Sequence, residues 1–298
     1  MTVKIEKVSF RGWKNCVKIA DEKAEAIVSA DFGPRILFFG MPQGKNHLYV
    51  DDGAAGKKFG KDEFAFYGGH RTWHAPERSD RNYIADNNEC EVVCGDNFVT
   101  VTAPLEKETA TRRAMKLTLA DGVLTVSNII ENRNLFDVKF AAWGITQLVS
   151  GGSLVVPTDC PDTGLVANRA VSLWSYSDMN DERIYWGSKY IAVTPQDKPV
   201  PPLKFGFTSA EKKCVYFNHD QAFVMESQYG AEGEFPDFGC NFECYSGRGY
   251  IEAEWLSPMR VLRTGEILTL NETWRIADKV SFPDIKDEVE TSKAVKSV

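Results

Sequence analysis

Hydrophobic and polar residues alternate along most of this chain in short segments, the pattern of β-strands whose two faces meet different surroundings. In KLTLADGVLTVSN (residues 116–128), leucines and a valine alternate with polar residues on both sides of Asp121-Gly122. Asp-Gly readily adopts the positive φ angles that a two-residue hairpin turn requires. The segment therefore predicts two antiparallel strands joined by a tight turn.

The same kind of pattern recurs from one end of the chain to the other. The further candidate strands are rich in β-branched and aromatic residues and are bounded by turn formers; they cover 25–31, 35–41, 97–103, 137–148, 153–157, 189–195, 213–218, 222–227, 241–246, 249–256 and 266–276. No long segment keeps the 3.6-residue period of a helix, although DIKDEVETSKAVKSV at the end could form a short one. Many strands without alternating helices predict an all-β, antiparallel sandwich or barrel. We predict one domain over residues 1–277 and a charged tail over 278–298.

Composition narrows the class of protein. The 298 residues are 43% hydrophobic, enough for a sizeable core, and the net charge is −7. No basic stripe is present, so we expect no nucleic-acid partner. The first ten residues lack the features of a signal peptide, and no apolar run is long enough to span a bilayer. The expectation is a cytoplasmic protein without a membrane partner.

The seven cysteines do not indicate a disulfide framework. An odd count without a secretion signal favours reduced thiols. Cys90/Cys94 and Cys240/Cys244 each have three residues between them, whereas zinc sites usually use tighter pairs. We expect these cysteines to be small apolar residues of the core.

Candidate chemistry is concentrated in YGGHRTWHAPERSDR (67–81), which we interpret as a loop and favour as part of a sugar site. Its two glycines would let the backbone approach a ligand closely. Trp73 offers an apolar wall and Arg71 a fork of hydrogen-bond donors. His70 and His74 can transfer protons near neutral pH.

Three other interpretations of this segment stay open. The polar side chains could solvate an ordinary loop. His70, His74 and Glu77 are of the right types to bind a metal ion, an alternative we do not favour. The three arginines could bind an anion, although two of them lie beside acidic residues. No metal and no cofactor are assigned.

Three stretches, 25–41, 131–157 and 242–276, resemble the galactose mutarotase-like superfamily. The first is similar to its second hairpin, the second to its central section, and the third to its C-terminal end, where a Glu on a strand is followed by a Pro and later by a strand carrying Trp. The resemblance spans roughly residues 20–277. It is closest to a poorly characterised branch with a Gly-Gly…Trp…Pro stretch like residues 68–76.

The resemblance implies a fold, an activity and a ligand. The fold is a large twisted antiparallel β-sandwich that holds a sugar on one sheet face. Aldose 1-epimerases of this superfamily need no cofactor: a carboxylate takes the proton of the anomeric hydroxyl while a histidine protonates the ring oxygen, and the opened sugar recloses as the other anomer. The implied partner is a small carbohydrate, either a neutral sugar or a sugar acid.

Residue by residue, the resemblance carries over only in part. Glu254 matches the catalytic base best because it precedes Pro258 at about the family's distance, and Glu252 on the same strand face stays an alternative. The histidine-bearing segment makes His70 and His74 the candidate acids. The central strand, 140–148, has no histidine where the family has its second one.

The remaining candidates would position the substrate. Two glutamates on one strand face repel unless a positive group lies opposite, and Lys204 is a candidate for that group. The full set of predicted substrate-binding residues is Arg71, Trp73, Glu77, Trp143, Lys204, Asp237 and Glu252. Two rival functions remain: a sugar-binding module without catalysis, favoured by the missing histidine, and a lyase or hydrolase on the same fold.

Overall fold

The protein folds into two stacked antiparallel sheets. The structure, a computed structural model, describes residues 2–158, 162–198, 200–229, 233–247 and 249–298. Within those residues, 21 strands form one sheet of eleven strands and one of ten. The predicted all-β, antiparallel sandwich is therefore confirmed.

The eleven-stranded sheet carries the candidate site. With strands numbered in chain order, its sequence of neighbours is β1 (Lys4–Phe10), β2 (Trp13–Ala20), β3 (Glu25–Ser29), β4 (Arg35–Gly40), β5 (His70–Ala75), β10 (Val138–Val149), β19 (Tyr250–Leu256), β18 (Phe242–Gly247), β15 (Leu203–Phe207) and β12 (Val171–Leu173), with β20 (Arg260–Leu262) paired to β10.

The ten-stranded sheet lies behind it. Its order is β13 (Ile184–Trp186), β14 (Tyr190–Val193), β11 (Ser153–Pro157), β16 (Lys213–Asn218), β17 (Gln221–Gln228), β21 (Ile267–Asp278), β9 (Val123–Asn132), β8 (Thr111–Ala120), β7 (Phe98–Thr102) and β6 (Glu91–Cys94). Two helical segments complete the chain, the single turn α1 (Pro236–Gly239) and α2 (Glu288–Ser297).

Alternation of side chains sets which residues form the core between the sheets. The predicted hairpin is present as β8 and β9, with Asp121 and Gly122 in the turn at φ angles of 51° and 79°. Its leucines are buried, and they join the same apolar cluster as Phe140 and Trp255 from the facing sheet. The inner face of the eleven-stranded sheet is the face that meets this core, and its outer face is the opposite one.

The segment that we interpreted as a loop, 67–81, contains a central strand instead. All six residues of β5 are buried, and β5 pairs with β4 on one side and β10 on the other. A β-carbon on Gly69 would lie 2.1 Å from the carbonyl oxygen of Ile36, and one on Gly68 2.4 Å from that of Tyr49. The glycines thus allow close approach of neighbouring backbone, whereas we expected a ligand there.

Part of the predicted tail is a docked helix. Asp287 caps α2 by accepting hydrogen bonds from the backbone N–H groups of Val289 and Glu290. Val295 is buried in an apolar cluster on the outer side of the ten-stranded sheet. Lys213 Nζ donates to the carbonyl oxygens of Val295 and Val298 at 3.1 Å. In the described residues, α2 included, we find no helix with the length and apolar character needed to cross a membrane.

The described cysteines carry free thiols. Four of them, Cys16, Cys214, Cys240 and Cys244, are buried, as predicted, whereas Cys90 is half-buried and Cys94 is exposed. The prediction of a reduced thiol at Cys160 falls outside the described residues.

Candidate functional site

A buried lysine holds two glutamates on the outer face of the eleven-stranded sheet. Lys204 on β15 places its Nζ 3.0 Å from Glu254 Oε2 and 2.9 Å from Glu243 Oε2. The two glutamates lie directly opposite each other in the β18–β19 pairing. Glu77, at the rim, has its Oε2 3.9 Å from the same ammonium. The structure thus brings three of the predicted residues together and adds Glu243, which was not predicted.

Indole rings enclose this charged group. Trp143 on β10 donates from Nε1 to Glu254 Oε2 at 2.9 Å, and its ring lies 4.5 Å from Lys204 Nζ. Trp174 covers the ammonium from another direction at 4.8 Å. Trp73 packs edge-on against Trp143. Lys204, Glu243 and Glu254 are almost completely buried as a result.

A second polar group lies two residues away on β19. Glu252 Oε1 accepts from Arg71 Nη2 at 3.2 Å and from Gln147 Nε2 at 2.8 Å. The Arg71 guanidinium lies 4.4 Å from the centre of the Trp73 ring. Nε and Nη1 of Arg71 and Oε1 of Gln147 are buried without a hydrogen-bond partner in the described part of the chain. Buried polar atoms are nearly always satisfied, so these orphans are positions where ligand hydroxyl or carboxylate groups would fit.

Burial is the largest single influence on the pKa values of the site. It raises the pKa of Glu254 above the ordinary value despite the opposing effect of Lys204. It also raises the pKa of Glu243 to about 7, with the neighbouring Asp237 adding to the rise. Burial lowers the pKa of Lys204, but the surrounding carboxylates outweigh burial and raise it well above normal. The lysine therefore stays charged, while the two glutamates are poised to exchange a proton.

Each of the two glutamates has one oxygen without a hydrogen-bond donor. Glu254 Oε1 and Glu243 Oε1 are buried and accept no hydrogen bond from the described residues. Leaving such atoms unsatisfied costs about 1–3 kcal/mol each, more when the group is charged. A ligand hydroxyl that donates to either oxygen would remove that cost.

The two predicted histidine acids lie on the wrong face. Their side chains point to the inner face, whereas Glu254 lies on the outer face. His70 Nδ1 contacts Thr146 Oγ1 at 2.9 Å, and Nε2 contacts Asn128 Oδ1 at 2.8 Å. Burial lowers the pKa of both histidines to about 3, so they are neutral near pH 7. The expectation of a histidine beside Glu254 is corrected by this geometry: on a strand, residues four apart share one face, and here that face meets the core.

Glu77 and Asp237 lie at the edge of the site. Glu77 is partly exposed and accepts a hydrogen bond from Tyr83 as well as approaching Lys204. Asp237 belongs to α1, half-buried beside Glu243. The alternative metal set of His70, His74 and Glu77 is not assembled, and no group of three or more His, Cys, Asp or Glu side chains within the described ranges could hold a metal ion.

A cavity of about 360 Å³ opens beside Gln147. Gln147, which donates to Glu252, lines it together with the stacked rings of Tyr49 and Tyr250 and with Phe64 and Phe66. Aromatic walls around a few polar groups are typical of small-ligand sites. The polar side chains from Gln147 to Glu254 therefore extend from the cavity to the buried charged group around Lys204.

Sequence reasoning missed Glu243, Gln147 and Trp174. A signal existed for Glu243, since NFECYS alternates and places a carboxylate between two apolar core positions. Its position opposite Glu254 depends on the register of the β18–β19 hairpin. Trp174 comes from an irregular segment that has no strand pattern.

Comparison with solved structures identifies the fold. A galactose mutarotase-like protein from Clostridium acetobutylicum aligns with 93% of this chain and 99% of its own at a TM-score of 0.61 and 12% identity. A galactose mutarotase-like protein from Lactobacillus casei aligns over 88% and 100% at 0.57 and 12%. A galactose mutarotase related enzyme from Lactobacillus acidophilus aligns over 89% and 98% at 0.56 and 8%. No family model and no curated protein matches the sequence.

These similarities identify the fold class of the chain. The chain has the galactose mutarotase-like fold, and the resemblance predicted from its sequence is confirmed at that level. At 8–12% identity the comparison establishes the architecture alone. Function has to be argued from the residues of the outer face.

Proposed function

We propose that this protein is an aldose 1-epimerase-like isomerase that interconverts the anomers of a sugar or sugar acid. The observation that carries the proposal is Glu254: a fully buried carboxylate on the outer face of the sheet, held by Lys204 and Trp143 and with one oxygen left without a donor. The fold supports it, since structural relatives carry names from this enzyme group.

Glu254 acts as the base in this proposal. It takes the proton from the anomeric hydroxyl while an acid protonates the ring oxygen, and the bond between the anomeric carbon and the ring oxygen breaks. Proton transfer by positioned groups is worth roughly 10²–10⁴-fold in rate. Lys204 favours the ionised form of Glu254, because its charge opposes the effect of burial on the carboxyl pKa.

The second polar group positions the substrate. Gln147, which lines the cavity, and Arg71, which shares Glu252 with it, both present buried, unpartnered atoms, and the Trp73 ring packs on the guanidinium. A sugar hydroxyl or carboxylate would satisfy the arginine donors, since arginine binds carboxylates through paired N–H groups. Entry to Glu254 requires Trp174 to move away from Lys204, because its ring covers the ammonium.

The test is anomer exchange measured by saturation-transfer NMR across reducing sugars, uronic acids and sugar phosphates. We expect faster exchange for one class, and loss of the enzymatic part in Glu254→Gln with sugar binding retained. Glu272→Gln is the matched control. Glu272 is equally buried, but it accepts a hydrogen bond from Asn128 between the sheets and lies outside the site on the outer face. Exchange that persists in Glu254→Gln at the wild-type rate would refute the assignment.

A sugar-binding module without catalysis is the second candidate. It is favoured by the position of the four histidines, all in described residues and none in contact with Glu254. Saturation transfer to a sugar without any acceleration of exchange would favour this function over the first.

A further inference from the structure

We propose that Glu243, rather than a histidine, supplies the proton to the ring oxygen, so that a pair of glutamates bridged by Lys204 carries out both proton transfers. The inference rests on the proposed function and names the acid of that reaction. The superfamily resemblance did not point to Glu243.

The placement of Glu243 meets the geometric requirement for an acid acting with Glu254. Both Oε2 atoms lie within 3.0 Å of Lys204 Nζ, so they are at most about 6 Å apart. The unpartnered Oε1 atoms of both residues belong to the same face of the sheet, because the two residues are direct neighbours across the strand pair. The two atoms that exchange protons in an aldose, the anomeric oxygen and the ring oxygen, are bonded to one carbon and could each meet one glutamate.

Hydrogen bonding decides which carboxyl keeps the proton. Glu254 accepts from two donors, the Trp143 indole and the Lys204 ammonium, and both stabilise its ionised form. Glu243 accepts from Lys204 alone and faces the carboxylate of Asp237, which disfavours a second negative charge. Glu254 also has a carboxylate neighbour, Glu252, but the charge of Glu252 is paired with Arg71. In this proposal the pair holds one proton, on Glu243, and Glu254 is the base. We assign the return of the proton to Asp237, a half-buried neighbour of Glu243.

The proposed step conserves protons and electrons. Glu254 removes the proton of the anomeric hydroxyl, and the oxygen electrons form the carbonyl double bond. The bond to the ring oxygen breaks with its electron pair on that oxygen, which takes the proton of Glu243. After rotation about the bond between the first two carbons, the reverse transfers close the ring and restore Glu243 protonated and Glu254 ionised.

The experiment compares wild-type protein with Glu243→Gln, Glu254→Gln and the control Glu272→Gln, each checked by urea unfolding. We expect Glu243→Gln to lower the enzymatic exchange rate by about 100-fold or more while sugar binding persists, because an amide cannot donate the proton. In wild-type protein the exchange rate should also fall as the pH rises through about 7, where Glu243 loses its proton. Glu243→Asp, which keeps a carboxyl group, should retain that descending limb.

The outcomes separate this inference from the proposed function. No enzymatic exchange in wild-type protein with any sugar would overturn both. Exchange that disappears in Glu254→Gln but continues at the wild-type rate in Glu243→Gln would overturn the role of Glu243 alone. If Glu243→Gln does not fold, the pH profiles decide. A flat wild-type profile between pH 6 and 9 excludes Glu243 as the acid. A limb near pH 7 supports it if both Glu243→Asp and Glu272→Gln keep that limb, because burial raises the pKa of Glu272 to about 7 as well.

Discussion

Replacing Lys204 by methionine should destabilise the protein in a pH-dependent way. Methionine is of similar length and apolar, so it fills most of the space between the indole rings but removes the positive charge between Glu243 and Glu254. Each carboxylate oxygen lies about 3 Å from that charge. At an effective dielectric constant of about 20, one such contact amounts to roughly 5 kcal/mol of attraction. Because a carboxyl can take up a proton instead, the net loss is smaller, about 3–5 kcal/mol for a broken buried pair.

The sign of the pH effect follows from the carboxyl pKa values. Burial already raises them in the folded protein, and removal of the lysine raises them further above the unfolded value of about 4.3. A raised folded pKa gives a stability that is complete below the unfolded pKa and is lost as the pH rises. Relative to wild type, Lys204→Met should therefore cost least at pH 5 and more as the pH rises through about 7, where Glu243 ionises in the wild type but not in the variant. The slope of this difference is up to about 1.4 kcal/mol per pH unit for each carboxyl.

The assay is urea unfolding of both proteins at several pH values between 5 and 8, followed by tryptophan fluorescence. Lys23→Met is the control, because Lys23 Nζ lies 2.8 Å from Asp121 Oδ1 but both side chains are largely exposed. Such a pair contributes about 0–1 kcal/mol, with little change over this pH range. An equal loss at pH 5 and pH 8 in Lys204→Met would show that packing, not charge, holds the site together.

Two further changes test the inner face. His74→Phe should flatten the acid side of the stability profile. Because the pKa of His74 is lowered to about 3 in the folded protein, its contribution to stability is complete above pH 6.5 and falls by about 2 kcal/mol by pH 5. The phenylalanine variant should therefore lose about 2 kcal/mol less than wild type between pH 7 and pH 5, measured by urea unfolding. An unchanged profile would mean that His74 is charged or exposed. Gly144→Ala should destabilise the protein by about 1–3 kcal/mol, because the new β-carbon would lie 2.2 Å from Glu272 Oε1. Gly60→Ala is the control: its β-carbon would meet no atom closer than 3.7 Å, and its stability in thermal unfolding should stay within about 0.5 kcal/mol of wild type. Equal melting temperatures for the two alanine variants would contradict the close packing around Gly144.

Strands were predictable wherever the two faces of a sheet differ in polarity. The hairpin of β8 and β9 alternates cleanly because one face meets the core and the other meets solvent. The central strand β5 was not predicted because both of its faces are buried and both carry polar side chains: Arg71 points to the outer site, while His70 contacts the inner network of Asn128 and Thr146. Its flanking glycines and proline then indicated a loop.

The candidate site was predictable residue by residue but not as an assembly. The family resemblance pointed to Glu254, and the need for a counter-charge pointed to Lys204, 50 residues earlier in the chain. Which strand lies beside which, and in what register, is decided by side-chain packing between distant segments, and single-chain periodicity does not report it. Glu243 and the inward direction of the histidines both depend on that information.

The position of α2 in the chain has a consequence for biosynthesis. This helix follows every strand of the ten-stranded sheet, and its Val295 packs on the apolar outer side of that sheet, against residues such as Val215 and Val224. During translation that side therefore stays uncovered until the helix has left the ribosome. A flat apolar sheet surface is prone to association while it is exposed. Chains that end before α2 should therefore associate more readily than the full chain.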